Sequence, residues 1–222
     1  MTIIGNEIDL LKNYPKAKRN LSQRAEQKTK NDREIAREFG QDFFDGNRKH
    51  GYGGFHYFPK FWKPVIPTFI EYWNLKNSSS FLDIGCAKGF MLYDLKLALP
   101  GINISGIDIS EYAIANSIES IKPFLKVCDA KSLPFDNNDF DVVVSINTIH
   151  NLEEEECAMA LQEIERVSKG SSFITVDAFR NDEEKSRMED WNLTAKTIKS
   201  VDDWKSFFLK VGYTGDYYWF IP

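Results

Sequence analysis

From Ser80 onward, five apolar runs recur at intervals filled by helical stretches, and this alternation limits the fold more than any other feature of the chain. The runs fall at 81–84, 102–107, 124–127, 140–146 and 172–176, each of a length and composition that suits a strand buried on both faces. Between them, Lys88 to Leu99, Glu111 to Ile121 after a Ser110 cap, and Glu153 to Val167 carry helical spacing. Strand, helix and strand in succession join by crossovers, which makes the sheet parallel and covers both its faces. The expectation is an α/β chain with a doubly wound, mostly parallel sheet. A polar connection at 180–200, a helix near Val201 to Val211 and a last strand in DYYWFIP complete it.

The segment before the sheet reads differently. Residues 16–40 are charged and sparsely apolar, predicting a surface helix or pair of helices closed by Gly40. Gln41 to Trp62 then holds four glycines, two histidines and eight aromatics, a mixture that favours an ordered loop over a regular element. A short amphipathic helix follows at 64–75. Residues 1–75 are thus expected to form a helical and aromatic cap, and 76–222 one compact domain, on a chain of 222 residues that can bury a sizeable core. A formal charge of −5 argues against a long nucleic-acid track. No stretch approaches the roughly 18 apolar residues of a membrane span. Cys86, Cys128 and Cys157 have neither zinc nor redox spacing, which suits a reducing, cytoplasmic setting. The N-terminus also lacks a basic region ahead of an apolar run.

Where the first strand gives way to the first helix stands LDIGCAKGF, residues 82–90. In an open parallel sheet, ligands bind at the carboxyl ends of the strands. A nicotinamide fingerprint would need G-x-G-x-x-G, whose middle glycine admits a pyrophosphate. Here that glycine is missing, and Asp83 would repel a pyrophosphate while suiting a cation.

These residues resemble the first motif of the class I S-adenosylmethionine-dependent methyltransferases, D-x-G-x-G-x-G, with Ala87 in place of the central glycine. The resemblance runs through about residues 80–177 and implies a Rossmann-like sheet and S-adenosyl-L-methionine as cofactor, leaving as S-adenosyl-L-homocysteine. It assigns Asp83, Gly85, Cys86, Ala87 and Gly89 to the glycine turn. Asp108 in GIDIS would bind the ribose hydroxyls, with Ile109 beside it. Asp129 and Ala130 would meet the adenine, and Asn147 to Asn151 would line the transfer site. The family usually ends in a hairpin of two strands, whereas here one strand follows the last helix. A shortened sheet edge is therefore expected, covered by the N-terminal segment or by a second copy in a homodimer.

A sulfonium methyl is already electrophilic, so alignment of the acceptor is the protein's main task; orientation can supply roughly 7–11 kcal/mol. A base is needed only where the acceptor carries a proton. His150, after the fourth strand, is the expected base, with Asn151 orienting it or the acceptor and Asp177 as a second candidate. In the aromatic loop, Tyr52, His56 and Tyr57 are expected to close over the cleft, His56 with the catalytic group and Tyr57 against the cofactor. Arg48 and Lys60 could meet an anionic acceptor. Glu153 to Glu156 read as acids in the first turn of a helix, and no metal is expected. Tyr217 to Phe220 read as the packing face of an edge strand.

Nucleic-acid base methylases often carry Asn/Asp-Pro-Pro-Tyr where this chain has Ser145-Ile146-Asn147-Thr148, which lowers that class. The pattern DFFDGNRKHGYGGF is similar to a bacterial subgroup associated with surface-polysaccharide and sugar-nucleotide biosynthesis. That similarity implies a small polar acceptor, methylated on oxygen, with N-methylation and cofactor sensing without turnover as alternatives.

Overall fold

The computed structural model describes residues 4–16, 28–53 and 55–222. Strands stand where the apolar runs placed them: β1 (Ser80–Ile84), β2 (Asn103–Asp108), β3 (Leu125–Val127), β4 (Val142–Ile146) and β5 (Ser172–Phe179). A two-residue strand, β6 (Lys199–Ser200), and β7 (Asp216–Phe220) complete the sheet. The order is β3-β2-β1-β4-β5; β7 then lies against Phe173 to Asp177, and β6 against Ala178 and Phe179. All these pairings are parallel. Strand order reverses between β1 and β4, which opens a crevice at their carboxyl ends.

Nine helices are described: α1 (Lys30–Arg37), α2 (Gln41–Phe44), α3 (Pro59–Trp62), α4 (Ile66–Tyr72), α5 (Phe90–Ala98), α6 (Glu111–Ala115), α7 (Glu154–Val167), α8 (Asp182–Trp191) and α9 (Val201–Val211). Residue parity along the strands divides the core in two. Phe81, Val142, Val144 and Phe173 join Phe69 of α4 and Leu92 and Leu95 of α5. Leu82, Ile84, Val143, Ile174 and Val176 turn the other way, onto Leu161 and Ile164 of α7 and Trp204 and Phe208 of α9. None of these is more than 2 % exposed, so both faces of the sheet are dry.

Several boundaries differ from the sequence reading. Residues 17–27 of the expected surface helices lie outside the described residues; what is described there is α1, started by a capping box between Thr29 and Asp32. Phe39, not Gly40, makes the left-handed turn after α1, at φ 49°, and Gly40 caps α2 instead. The expected loop at 41–62 contains α2 and α3. The polar connection at 180–200 contains α8, capped by Asn181, with Met188 its one fully buried anchor. Such a polar helix shows little apolar periodicity. α6 ends at Ala115, before the Pro123 turn.

The sheet edge at β7 is covered by the chain's own N-terminal segment. Ile8 N–H donates to Tyr217 O and Tyr217 N–H to Asn6 O, both at 3.0 Å, and Glu7 pairs with Lys205 at 2.8 Å. With this edge occupied, the expectation of a homodimer loses the open edge on which it rested. Among the described residues, no helix is long and apolar enough to cross a membrane.

Candidate active site

The glycine turn is stitched to the neighbouring strand before it reaches any ligand. Gly85 and Cys86 N–H both donate to Ile107 O, at 2.8 and 2.9 Å. Gly85 has φ 83°, and a Cβ there would lie 2.0 Å from Thr148 Oγ1, so the turn and the β4 loop meet without room for a side chain. Ala87 also takes a left-handed conformation, at φ 49°, a strain of about 1–2 kcal/mol for a residue with a Cβ. The family's central glycine would sit there without strain. Gly89 starts α5, and its missing Cβ makes room for Ile121.

A cavity of about 1500 Å³ opens above these strand ends. Its walls bring together Asp83, Gly85, Cys86 and Ala87 from the turn, Asp108 and Ile109 after β2, Asp129 and Ala130 after β3, Asn147, His150 and Asn151 after β4, and Asp177 of β5. Gly89, His56 and Tyr57 are not among the wall residues. Asp108 is 9 % exposed and receives Ala87 N–H on Oδ2 and Ser110 N–H on Oδ1, each at 2.8 Å. Burial raises its pKa, and those two donors work against the rise. Asp83 has no such donors among the described residues. Burial, and secondarily the charge of Asp108, push its pKa up to about 8. Asp129 accepts Lys131 N–H at 3.0 Å and holds Lys131 Nζ at 3.3 Å. Asn147 is fixed at φ 52° by exchange with Thr175: its N–H donates to Thr175 Oγ1, which donates back to Asn147 Oδ1, both at 2.9 Å.

This donor set fits S-adenosylmethionine. Asp108 can accept from ribose hydroxyls, Ile109 offers an exposed apolar face to a flat base, and Asp83 is a buried acid with no hydrogen-bond partner among the described residues, suited to a cation.

His150 is 3 % exposed, and its Nδ1 accepts Asp177 N–H at 3.1 Å. That bond assigns the ring proton to Nε2, which lies 3.6 Å from Asp177 Oδ1. Burial pushes the pKa of His150 down to about 3. Its one ring lone pair is occupied by the Asp177 N–H, so in this arrangement no lone pair of His150 is open to an acceptor proton. Nitrogen NMR of the protein should show a single Nε2–H tautomer for His150 with no titration between about pH 5 and pH 8; a midpoint near the ordinary histidine value would restore the base. Asn151 donates to Asn147 O at 3.4 Å, and its Oδ1 is buried without a partner among the described residues.

The aromatic segment is divided by direction. Tyr52 lines the cavity, its hydroxyl accepting Leu193 and Thr194 N–H at 2.8 and 3.2 Å and its ring stacked on Trp191. Tyr57 points away, donating to Asp94 at 2.7 Å over α5. His56 is 83 % exposed, 4.0 Å from Asp45. Lys60 lies over the rings of Phe58 and Phe61, while Arg48 reaches the cavity wall and donates to Tyr52 O. Lys88 turns to the cap and places Nζ 2.7 Å from both oxygens of Asp45. Tyr112 donates to the same carboxylate, and Ser110 Oγ to Phe39 O. The acids at the start of α7 are used locally: Glu153 and Glu156 form a capping box, and Glu154 pairs with Lys199.

The chain is similar in sequence and in fold to known proteins. The rat (Rattus norvegicus) mitochondrial arginine-hydroxylase NDUFAF5 is 35 % identical over 102 residues, covering 46 % of this chain and 29 % of that protein. A tRNA (carboxymethyluridine(34)-5-O)-methyltransferase from Arabidopsis thaliana is 30 % identical over 147 residues, 64 % of this chain and 33 % of that one. The chain spans a third or less of these relatives' length. In fold it is similar to a phosphoethanolamine N-methyltransferase of Haemonchus contortus solved with S-adenosylhomocysteine, at a TM-score of 0.58 and 19 % identity over 79 % of this chain and 44 % of that one. Residues 75–212 match a family described as a methyltransferase domain, and with its parallel sheet and acid-lined strand ends the chain belongs to that family of S-adenosylmethionine-dependent enzymes.

Proposed function

We propose that the protein transfers the cofactor's methyl to a small polar metabolite held beneath the cap. The observation that carries this reading is that the stacked rings of Tyr52 and Trp191 line the same cavity as Asn147, His150 and Asp177 at the ends of β4 and β5. Such a space suits a small molecule better than an extended polymer. Arg37, Arg48, Lys49 and Lys196 line the same cavity and support an acceptor with an anionic group. Sugar-, nucleotide- or phosphate-containing precursors of surface polysaccharide have that chemistry, and oxygen is the proposed methyl acceptor. With Asp177 at the wall and His150 neutral, an acceptor hydroxyl would pass its proton to the carboxylate.

Incubation with methyl-labelled S-adenosylmethionine and a pool of sugar nucleotides and phosphorylated metabolites should give a product heavier by one methyl group, detected by mass. Label recovered only in added tRNA would instead favour a nucleoside acceptor, the reading that the Arabidopsis relative supports. Binding without product from any pool would overturn both in favour of a sensor.

A further inference from the structure

Asp83 differs from the other acids of the cavity in what surrounds it. It sits on β1 between Gly106 of β2 and Val144 of β4, is 5 % exposed, and has no hydrogen-bond donor among the described residues. Asp108, on the next strand, holds two backbone N–H groups. The titratable group that acts on Asp83 is Asp108 from β2, while the Cys86 thiol of the turn is itself raised by burial and by both acids. Lys88, the nearest cation along the chain, spends its charge on Asp45. His150 from the β4 loop is neutral, with its ring engaged by Asp177. Ionising Asp83 in the free protein would place a second buried negative charge beside Asp108 with no donor to receive it.

We propose that Asp83 selects the cofactor by charge: it stands neutral in the free protein and releases its proton to solvent when a cationic nucleoside enters the cavity. Written as a balance, the carboxylic acid and the cationic ligand become a carboxylate–cation pair and one free proton. The cation supplies what the fold withholds, a positive partner within the buried site. This inference rests on S-adenosylmethionine as the ligand and goes beyond it, since the glycine turn alone requires no change of protonation. A nucleoside thioether with no cation, such as 5′-methylthioadenosine, leaves Asp83 protonated.

Titration calorimetry of the intact protein tests this at about pH 5.5 and about pH 7, a range above the titration of the ligand's carboxyl group and below that of an ordinary amino group. Because binding displaces a proton in this range, affinity for S-adenosylmethionine should rise about tenfold per pH unit, or about thirtyfold across it. In two buffers of different ionisation enthalpy, the heat at the higher pH should report one proton released per ligand bound. Binding of 5′-methylthioadenosine should change with neither pH nor buffer. Asp83→Asn should bind S-adenosylmethionine weakly and without pH dependence, although the wild-type proton count carries the test even if that variant does not fold. PH-independent binding of both ligands with no proton released overturns the proposal and leaves the cofactor in place. Failure of both ligands to bind at either pH overturns the cofactor assignment and the proposal together.

Discussion

Asp108→Ala is expected to weaken S-adenosylhomocysteine binding by about a hundredfold or more, and to destabilise the free protein as well. The binding loss follows from the proposed place of Asp108 at the ribose, where hydrogen bonds to a charged group contribute about 1.5–3 kcal/mol each. The stability loss has a separate origin in two bonds already present without ligand. Removing the carboxylate strands the N–H groups of Ala87 and Ser110, and an unsatisfied buried donor costs about 1–3 kcal/mol. Asp108→Asn can accept only one of them, since its other terminal atom is itself a donor. Urea unfolding should therefore rank wild type above Asn and Asn above Ala, with calorimetry showing weak binding in both variants. Binding within threefold of wild type in Asp108→Ala would remove this residue from the cofactor site.

The second large effect is steric. In Gly85→Ala the new methyl would lie 2.0, 2.4 and 2.6 Å from Thr148 Oγ1, Cγ2 and Cβ, and the residue must keep φ near 83°. Left-handed strain of about 1–2 kcal/mol and overpacking of about 1–3 kcal/mol give an expected loss of about 2–5 kcal/mol in urea unfolding. Because the collision is with one side chain, Gly85→Ala combined with Thr148→Gly should recover part of the loss, the backbone strain remaining. No recovery would place the cost in the backbone alone. Thr148 belongs to the loop that carries Asn147 and His150, so the single variant should also disturb the transfer site.

The sheet was legible because its signals are local. The apolar runs of β1, β4 and β5, the glycine turn and the acids at the strand ends all appear within a few residues of chain. The direction of a side chain that meets a distant partner is not written that way. His150 sits where a base is expected, but its ring lone pair is taken by an N–H from Asp177, 27 residues later. Tyr52, His56 and Tyr57 share one aromatic stretch, and only the placement of Asp94 and of the 193–194 backbone decides that Tyr52 faces the cavity while Tyr57 turns to α5. Lys88 finds Asp45 across 43 residues. α8 escaped for another reason, since its surface is almost wholly polar and only Met188 is anchored.

Phe39, Ala87 and Asn147 share a left-handed backbone and a place on the cavity wall. Their strain is held there by surrounding contacts, as at other functional sites.

The strand seam between Asn6–Ile8 and β7 orders events in time. Asn6 and Asp216, which it brings into contact, are 210 residues apart. On the ribosome the first of these segments is made before any strand of the sheet, and its partner after all the others. The Asn6–Ile8 segment must therefore wait, unpaired, while all the residues between it and β7 are made, and the closure of the sheet at this margin is a late step governed by a very long loop.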